Sequence, residues 1–381
     1  MGSPFGDKVS GARRERVLAS PRFVDGAFRN TVARTPMMKR GSGVATVGQF
    51  LFGGQRRTPP APLPADDPRA AWQRRAETGL RATWLGHSTV LVELDGLRVL
   101  TDPVWGERAS PSRFAGPKRF QPVPVPIAAL PPLDAVIISH DHYDHLDYPT
   151  ILALAERDVP FYTSLGVGAH LQSWGIPPER IVELDWWESA TLPRAELSIT
   201  AAPSRHFSGR GLRRNATLWS SFAVRSARHS FFFSGDTGLT PEYAEIATRL
   251  GPFDLVMLEV GAFHPAWGEI HLGPENALEA HALLGGGSFL PVHWGTFNLA
   301  IHAWDEPAET LIAQAPARGV HLVMPRLGAA VEPARVERVE PWWRDVRERG
   351  DARERDDVRT RDAAVSATGE PLVEAIGEPI D

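Results

Sequence analysis

The segment Ser139-His140-Asp141-His142-Tyr143-Asp144-His145 places three histidines and two aspartates within seven residues, directly after a run of four aliphatic residues at 135–138. A short β-branched run of this kind predicts a buried strand, so the cluster stands at a strand's carboxyl end. Because the chain turns there, side chains at positions i, i+2, i+4 and i+5 can converge on two neighbouring cations. Imidazole and carboxylate ligands suit zinc, iron or manganese. The segment therefore predicts a metal site at the end of a strand.

Length and composition are those of an ordinary globular protein. The chain has 381 residues, 43% hydrophobic and 23% charged, which is enough for one large domain or two ordinary ones. The absence of cysteine excludes a disulfide framework, a thiolate zinc site and a cysteine nucleophile. A net charge of −5 with no basic block argues against a nucleic-acid partner. No apolar stretch near the N-terminus is long enough for a membrane span or a secretory signal, so we expect a cytoplasmic protein.

Composition also divides the chain into three parts. Residues 1–75 are rich in glycine, proline and arginine and predict an irregular lead-in. Residues 76–335 carry the strand and helix signals. Residues 336–381 contain a dense mixture of Arg, Asp and Glu, which predicts a charged tail, partly helical or disordered, that Trp342 and Trp343 anchor to the body.

The body begins with short strands and continues with strands that alternate with helices. Asp95-Gly96 predicts a two-residue hairpin turn between strands at 89–94 and 97–101. Thr240-Pro241-Glu242 has the cap, the proline and the acidic residue that begin a helix. His321–Val323 predicts a last strand. This order predicts an α/β protein with two sheets packed together and helices outside.

Three later strand ends carry single candidate ligands. His206, Asp236 and His293 each follow an apolar strand, beside glycine or proline that lets the backbone turn. Taken singly, a histidine there is more often structural, and an aspartate often caps a turn. One H-x-H-x-D-H segment cannot fill two coordination spheres, however. Together, and in this order, the three residues predict the remainder of a two-metal site.

These motifs resemble the metallo-β-lactamase fold hydrolases, and among them the N-acyl-phosphatidylethanolamine-hydrolysing phospholipase D group and its bacterial relatives. The resemblance covers roughly residues 80–330 and implies a four-layer αββα sandwich of two mixed sheets, with 76–335 as the hydrolase domain. Gly273 and the apolar end of the domain at 325–330 depart from the group's pattern. These departures weaken the prediction of a lipid substrate and leave the metal site intact. Besides the histidine segment, the resemblance rests on Trp84-Leu85-Gly86-His87-Ser88-Thr89, Thr101-Asp102-Pro103, Ala109-Ser110-Pro111-Ser112, Gly116-Pro117-Lys118-Arg119-Phe120, Glu183-Leu184-Asp185-Trp186-Trp187-Glu188, Phe232-Phe233-Ser234-Gly235-Asp236-Thr237-Gly238 and His293-Trp294-Gly295-Thr296-Phe297.

The resemblance implies two zinc ions, although the ligand types also suit iron or manganese. In the family's pattern one ion is held by His140, His142 and His206. The other is held by Asp144, His145 and His293, and Asp236 bridges the two. His271 is implied to contact a phosphoryl oxygen or to protonate the leaving group; alternatively it only neighbours a helix start. The candidate catalytic residues are Asp144, Asp236 and His271.

The function implied is that of a binuclear zinc phosphodiesterase of phospholipase D type, in which a hydroxide shared by the metals attacks a phospholipid-like substrate. A lactonase or other ester hydrolase on the same scaffold, and a non-catalytic metal-binding protein, are the alternatives. A redox di-iron role is disfavoured because no flavin-binding domain is evident. Asp102 and His87 are expected to orient ligand histidines, and Asp141 to make structural hydrogen bonds.

Membrane contact is a separate question. The phenylalanines of the lead-in are expected to cover a core. The alternative is that they line an apolar entrance and that the protein contacts a membrane peripherally. Neither the head group of the substrate nor the oligomeric state can be predicted from the sequence. The phenylalanines are Phe5, Phe23, Phe28, Phe50 and Phe52.

Overall fold

Two large mixed β-sheets pack face to face, with helices on their outer faces. This architecture comes from a computed structural model that describes residues 2–32, 48, 56–192, 195–264 and 269–352. One apolar core fills the space between the sheets and reaches the helices outside the second sheet. A separate apolar cluster lies between the first sheet and its own helices. The predicted α/β sandwich with four layers is confirmed.

The first sheet has seven strands in the order β15-β3-β4-β5-β6-β7-β8. Pairing is antiparallel from β15 to β5 and parallel from β5 to β8. Leu94 pairs with Leu97, so Asp95-Gly96 forms the predicted two-residue turn. The strands are β3 Leu80–Gly86, β4 Thr89–Leu94, β5 Leu97–Thr101, β6 Ala135–Ile138, β7 Phe161–Ser164, β8 Ile181–Leu184 and β15 Ala330–Val331.

The second sheet has six strands in the order β14-β13-β12-β11-β10-β9, and β12, β13 and β14 are parallel to one another. The predicted strand His321–Val323 is wrong, because only Leu322 forms a bridge, with Phe289, and the pairing extends no further. The strands are β9 Ser189–Thr191, β10 Ser198–Ala202, β11 Ser221–Arg225, β12 Ser230–Phe233, β13 Leu255–Glu259 and β14 Ser288–Val292.

The helices bury apolar faces against the two sheets. Ile151 and Leu154 pack in the cluster outside the first sheet, whereas Ala277 and Leu278 belong to the core that includes the second. The helix predicted at Thr240-Pro241-Glu242 begins at Glu242, directly after the proline. The helices are α1 Gly11–Ala19, α2 Arg69–Trp72, α3 Tyr148–Ala155, α4 Gly168–Ser173, α5 Glu242–Leu250, α6 Gly273–Leu283, α7 Glu306–Gln314 and α8 at 343–352.

The lead-in is more regular than its composition predicts. Residues 2–32 contain α1 and a small hairpin of β1 Phe23–Val24 and β2 Ala27–Phe28. Val17 and Phe28 are buried in a cluster with Leu218 and Trp219 of the body, which supplies the apolar surface that holds this segment in place. Phe5 is 56% exposed. The other two phenylalanines, Phe50 and Phe52, lie outside the described residues.

The beginning of the charged tail packs on the body. Trp342 and Trp343 are buried beside Trp294, and Arg344 forms an ion pair with Glu309 of α7. The tail continues as α8 to residue 352, and residues 353–381 lie outside the described part. Among the described residues, no helix is both long and apolar enough to cross a membrane.

Candidate metal centre

The candidate ligands lie where strands of both sheets end. The histidine segment follows β6, Asp236 follows β12, and His293 directly follows β14. His206 lies shortly after β10. β6 lies among parallel strands of the first sheet, and β12 and β14 lie among parallel strands of the second. β10 is antiparallel to its neighbours, but it runs in the same direction as β12 because β11 reverses between them. The carboxyl ends of strands are where α/β sheets gather binding residues.

The first candidate ligand set contains His140, His142, His206 and Asp236, whose ligand atoms all lie within 4.8 Å of one another. His142 Nδ1 is 2.9 Å from His140 Nε2 and 3.2 Å from His206 Nε2. Asp236 Oδ2 is 3.8 Å from His140 Nε2 and 3.6 Å from His206 Nε2. The three imidazoles and one carboxylate oxygen thus surround a common point.

The second candidate ligand set contains Asp144, His145 and His293. Asp144 Oδ2 is 3.5 Å from His145 Nε2 and 3.4 Å from His293 Nε2. The other oxygen of Asp236, Oδ1, lies 3.1 Å from both of these nitrogens. Asp236 therefore directs one carboxylate oxygen at each set, which is the geometry of a bridging ligand.

The buried atoms at the centre of the second set fit a metal ion. His145 Nε2, His293 Nε2 and Asp236 Oδ1 are buried and have no hydrogen-bond partner among the described residues. Leaving a polar atom in that state costs about 1–3 kcal/mol, and native proteins rarely do so. A divalent cation satisfies nitrogen lone pairs and a carboxylate together. With nitrogen and oxygen donors and no sulfur, the two sets fit zinc, iron or manganese.

Electrostatics differ between the two sets. Burial opposes protonation of His145, but the surrounding carboxylates, Asp236 foremost, outweigh it and hold the pKa of that imidazole well above its usual range. Against the same burial, Asp236 raises the pKa of His293 to about 10. In the first set burial dominates and lowers the pKa of His140 and His206 well below the usual range. The second set thus attracts positive charge, while the first offers neutral imidazoles, the form that binds metal.

Backbone strain marks the same edge of the sheets. His87, Asp102 and His293 have φ angles of 52°, 32° and 65°, a left-handed region that these residue types seldom adopt. Such conformations persist where the surrounding structure enforces them, and they cluster at functional sites. Here the backbone N–H of His293 donates to the carbonyl of His87, which ties the two turns together.

Asp102 and His87 occupy different positions around the ligands. Fully buried Asp102 accepts a hydrogen bond from His145 Nδ1 at 2.6 Å and from the Ser139 backbone N–H at 2.7 Å. The first contact leaves His145 Nε2 directed at the second set, as expected of an orienting partner. His87 Nε2 instead lies 3.0 Å from Asp144 Oδ2, and its ring centroid lies 4.0 Å from that of His293, so His87 contacts both a carboxylate and a histidine of the second set.

His271 lies beside the candidate centre, and Asp141 forms hydrogen bonds away from it. The imidazole of His271 lies just before α6, with its Nδ1 3.9 Å from Asp236 Oδ2. It therefore neighbours a helix start and the candidate centre at the same time. The carboxylate of Asp141 accepts hydrogen bonds from Gly209 N–H at 2.7 Å and Thr217 Oγ1 at 3.0 Å, which are structural contacts.

Two further residues, Glu259 and Asn30, touch the site although the sequence pattern did not single them out. Glu259 ends β13 and accepts a hydrogen bond from His271 Nδ1 at 2.7 Å. The signal that identified Asp236, an acid at the end of an apolar strand, also applies to Glu259. Asn30 in the lead-in holds both backbone groups of His206: its Oδ1 accepts from the N–H at 3.1 Å and its Nδ2 donates to the carbonyl at 2.9 Å. No local sequence pattern predicts that contact.

Comparisons with known proteins identify the family. A model described as a beta-lactamase superfamily domain matches residues 97–294. An uncharacterised protein of Mycobacterium tuberculosis is 48% identical over 330 residues, which are 85% of this chain and 88% of that protein. N-acyl-phosphatidylethanolamine-hydrolyzing phospholipase D 1 of Caenorhabditis elegans is 40% identical over 235 residues, or 59% of this chain and 66% of that protein.

A solved structure adds evidence on the fold alone. Igni18, a metallo hydrolase from Ignicoccus hospitalis, is 22% identical with a TM-score of 0.52, and the match covers 66% of this chain and 97% of that chain. The segment matched by the family model spans more than half of this chain and includes every candidate ligand. The resemblance inferred from the sequence is therefore confirmed, and the protein belongs to the beta-lactamase superfamily as a metal-dependent hydrolase.

Proposed function

We propose that this protein is a binuclear zinc hydrolase, and specifically a phosphodiesterase of phospholipase D type that acts on a phospholipid-like substrate. The observation that carries the proposal is the position of Asp236, whose Oδ1 faces the second ligand set at 3.1 Å while Oδ2 faces the first at 3.6 and 3.8 Å. A carboxylate so placed holds two cations at the short separation that two-metal hydrolysis requires.

The residues around that carboxylate supply the remaining functions. When bound, a pair of divalent cations provides an acidified water and the positive charge that neutralises a phosphodiester. Asp144 and Asp236 balance that charge within a buried site. His271 has one ring nitrogen engaged by Glu259, which leaves the other for a phosphoryl oxygen or the leaving oxygen.

A small cleft lies beside His293, and Phe120, Phe297 and Trp304 are among its lining residues. The guanidinium of Arg119 lies 5.0 Å from the Phe297 ring centroid and donates to backbone carbonyls nearby, so this aromatic side is held in place. The name of the Caenorhabditis elegans relative supports an N-acylated phospholipid as the substrate class. Such a substrate requires contact with a membrane surface.

Turnover of bis-p-nitrophenyl phosphate by the zinc-loaded protein and by Asp236→Asn tests the chemistry. We expect the variant to lose activity by about 100-fold or more, since even partners that only support a ligand change activity by 10–100-fold. The matched control is Asp254→Asn, because this carboxylate accepts from the Ser230 backbone N–H at the opposite end of β13. It should retain full turnover. Equal rates for wild type and Asp236→Asn would reject the proposal.

A parallel assay on phospholipid vesicles and acyl lactones tests the bond that is cleaved. We expect release of a phosphatidic acid from N-acyl-phosphatidylethanolamine vesicles and co-sedimentation of the protein with them. Lactone turnover without any phosphodiester turnover would establish the alternative, an ester hydrolase on the same scaffold. Two bound metals with neither activity would indicate a metal-binding protein.

A further inference from the structure

Glu259 is a fully buried carboxylate that joins two segments of the site. Its Oε1 accepts hydrogen bonds from the backbone N–H groups of Thr237 at 2.6 Å and Leu272 at 3.3 Å, and its Oε2 accepts from His271 Nδ1 at 2.7 Å. Thr237 directly follows Asp236, and Leu272 directly follows His271. One side chain therefore fixes the turn of the bridging aspartate to the segment that carries His271.

The remainder of β13 shows that this carboxylate is costly to bury. Residues 255–258 are Leu-Val-Met-Leu, and all of them are buried in the apolar core. Burying an ionised carboxylate is expensive unless it is paired and hydrogen-bonded. Glu259 meets that condition through three donors in the described part of the chain, one of which is a histidine beside the metal centre.

The contact with Glu259 determines which way the His271 ring faces. Nδ1 donates to Glu259, so Nε2 is the nitrogen left for another molecule. The His271 side chain is 13% exposed, and its ring centroid lies 5.1 Å from that of His206 and 5.5 Å from that of His293. The imidazole thus borders a ligand of each set and retains access to solvent. Asp236 Oδ2, 3.9 Å away, is the competing acceptor for Nδ1.

We propose that Glu259 is the positioning residue for His271. It keeps the proton on Nδ1, prevents the ring from turning to Asp236, and holds Nε2 where the reacting group of the substrate binds. This inference rests on the proposed function, in which His271 contacts the phosphoryl group or the leaving oxygen. It adds the residue that makes such a contact possible.

Glu259→Gln is the decisive variant, because the two backbone donors dictate how its amide lies. Its carbonyl must face Thr237 and Leu272 to satisfy their N–H groups, so its NH2 faces His271 Nδ1. Two donors cannot meet there, and His271 therefore shifts its proton to Nε2. Long-range ¹H–¹⁵N NMR should find Nδ1 protonated in the zinc-loaded wild type and unprotonated in the variant. An unchanged Nδ1 would overturn the proposal, whatever the activity.

A double-mutant cycle with His271→Asn on bis-p-nitrophenyl phosphate supplies the kinetic test. We expect Glu259→Gln to keep both metals and the KM but to lower kcat by about 10–100-fold, the usual loss when an orienting partner is removed. The double variant should be no slower than His271→Asn alone, because the two residues act as a unit. Independent, multiplying losses, or a loss of metal in Glu259→Gln, would assign Glu259 a merely structural role.

A second buried glutamate provides the control. Glu93 is buried and pairs with Arg81 on the first sheet. Glu93→Gln should lower the thermal midpoint and leave kcat unchanged, which separates the effect of a buried Glu→Gln change from positioning. A wild type without phosphodiester turnover would refute the proposed function, and the NMR result would still decide the role of Glu259. Multiplying losses in an active wild type would overturn only the positioning role.

Discussion

Asp102→Asn should weaken metal binding chiefly at the second ligand set. Asp102 Oδ2 accepts hydrogen bonds from both His145 Nδ1 and Ser139 Oγ at 2.6 Å, while its Oδ1 accepts from the Ser139 N–H. In the variant, the amide carbonyl replaces Oδ1 to satisfy that N–H, and the NH2 faces His145. The imidazole must then move its proton to Nε2. That nitrogen is the one directed at Asp144 and Asp236, so the ligand lone pair is lost.

The magnitude follows from the role of Asp102 as a partner of a ligand rather than a ligand. Loss of such a partner typically weakens metal affinity by about 10–100-fold. That range corresponds to about 1.4–2.8 kcal/mol of binding free energy. Asp102 reaches the first set through Ser139, whose Oγ donates to Asp102 Oδ2 and lies 2.9 Å from His140 Nδ1. We therefore expect the larger loss of affinity at the second set, where Asp102 contacts a ligand directly.

Zinc titration against a chromophoric chelator measures both affinities in one experiment. The matched control is Asp147→Asn, because this buried aspartate caps α3 and accepts from the Gly106 and Thr150 N–H groups without touching a candidate ligand. Asparagine is an equally good helix cap. Wild-type affinity at both sites in Asp102→Asn, or an equal loss in Asp147→Asn, would refute this reasoning.

Three other predictions concern the lead-in, pH and the tail. Asn30→Ala should weaken zinc binding at the first set by about tenfold, because both hydrogen bonds to the His206 backbone are lost. Asn30→Asp keeps the acceptor, so its zinc affinity should lie between those of Asn30→Ala and the wild type. Competition with a chelator measures both affinities. Because Asp236 raises the pKa of His293 from 6.5 to about 10 against burial, zinc must displace a proton there, so affinity should rise over that pH interval. The metal-free protein should lose stability over the same interval, because a folded-state pKa above the unfolded one stabilises only while the proton is bound. Calorimetry of zinc binding in buffers of different ionisation enthalpy measures the proton release, and denaturation of the metal-free protein at several pH values measures the loss of stability. A zinc affinity that does not change with pH would contradict the raised pKa of His293. Trp343→Ala should reduce the free energy of unfolding by about 3–5 kcal/mol, because the side chain is fully buried and donates to Glu309. In the same urea titration Leu212→Ala, at a 108% exposed position, should change nothing.

The elements that could be predicted are those whose signals are local. The aliphatic run at 135–138 and the turn at Asp95-Gly96 specify strands and a hairpin within a few residues of chain. The helix signal at Thr240-Pro241-Glu242 is equally local, and the helix begins at Glu242, directly after the proline. Each ligand lies at the carboxyl end of an apolar strand, and this recurrence is visible in the sequence.

The elements that were missed depend on distant partners. Strands β9 and β15 have three and two residues, too few to show an alternating pattern, and form only because a neighbouring strand edge is available. At His321–Val323 an apolar run meets its partner at a single residue. The lead-in resembles a linker in composition, yet Val17 and Phe28 find a buried cluster on the body.

The site residues also differ in whether their signal in the sequence is local or depends on a distant partner. The seven candidate ligands follow a pattern of residue type and strand end, and the fold brings them into two sets that share Asp236. Asn30 reaches His206 across 176 positions of sequence, so its role depends wholly on how the lead-in packs. Glu259 was detectable as an acid ending an apolar strand, but its partner His271 is set by the fold.

The number of metal ions per chain tests the central claim most directly, because Asp236 serves two ligand sets only if both are filled. We would measure this number by inductively coupled plasma mass spectrometry, after zinc reconstitution and gel filtration, on wild type and Asp236→Asn side by side. We predict two zinc ions per wild-type chain and fewer than two in the variant. One ion or none in the wild type, or two retained without the Asp236 carboxylate, would contradict a bridged two-metal centre.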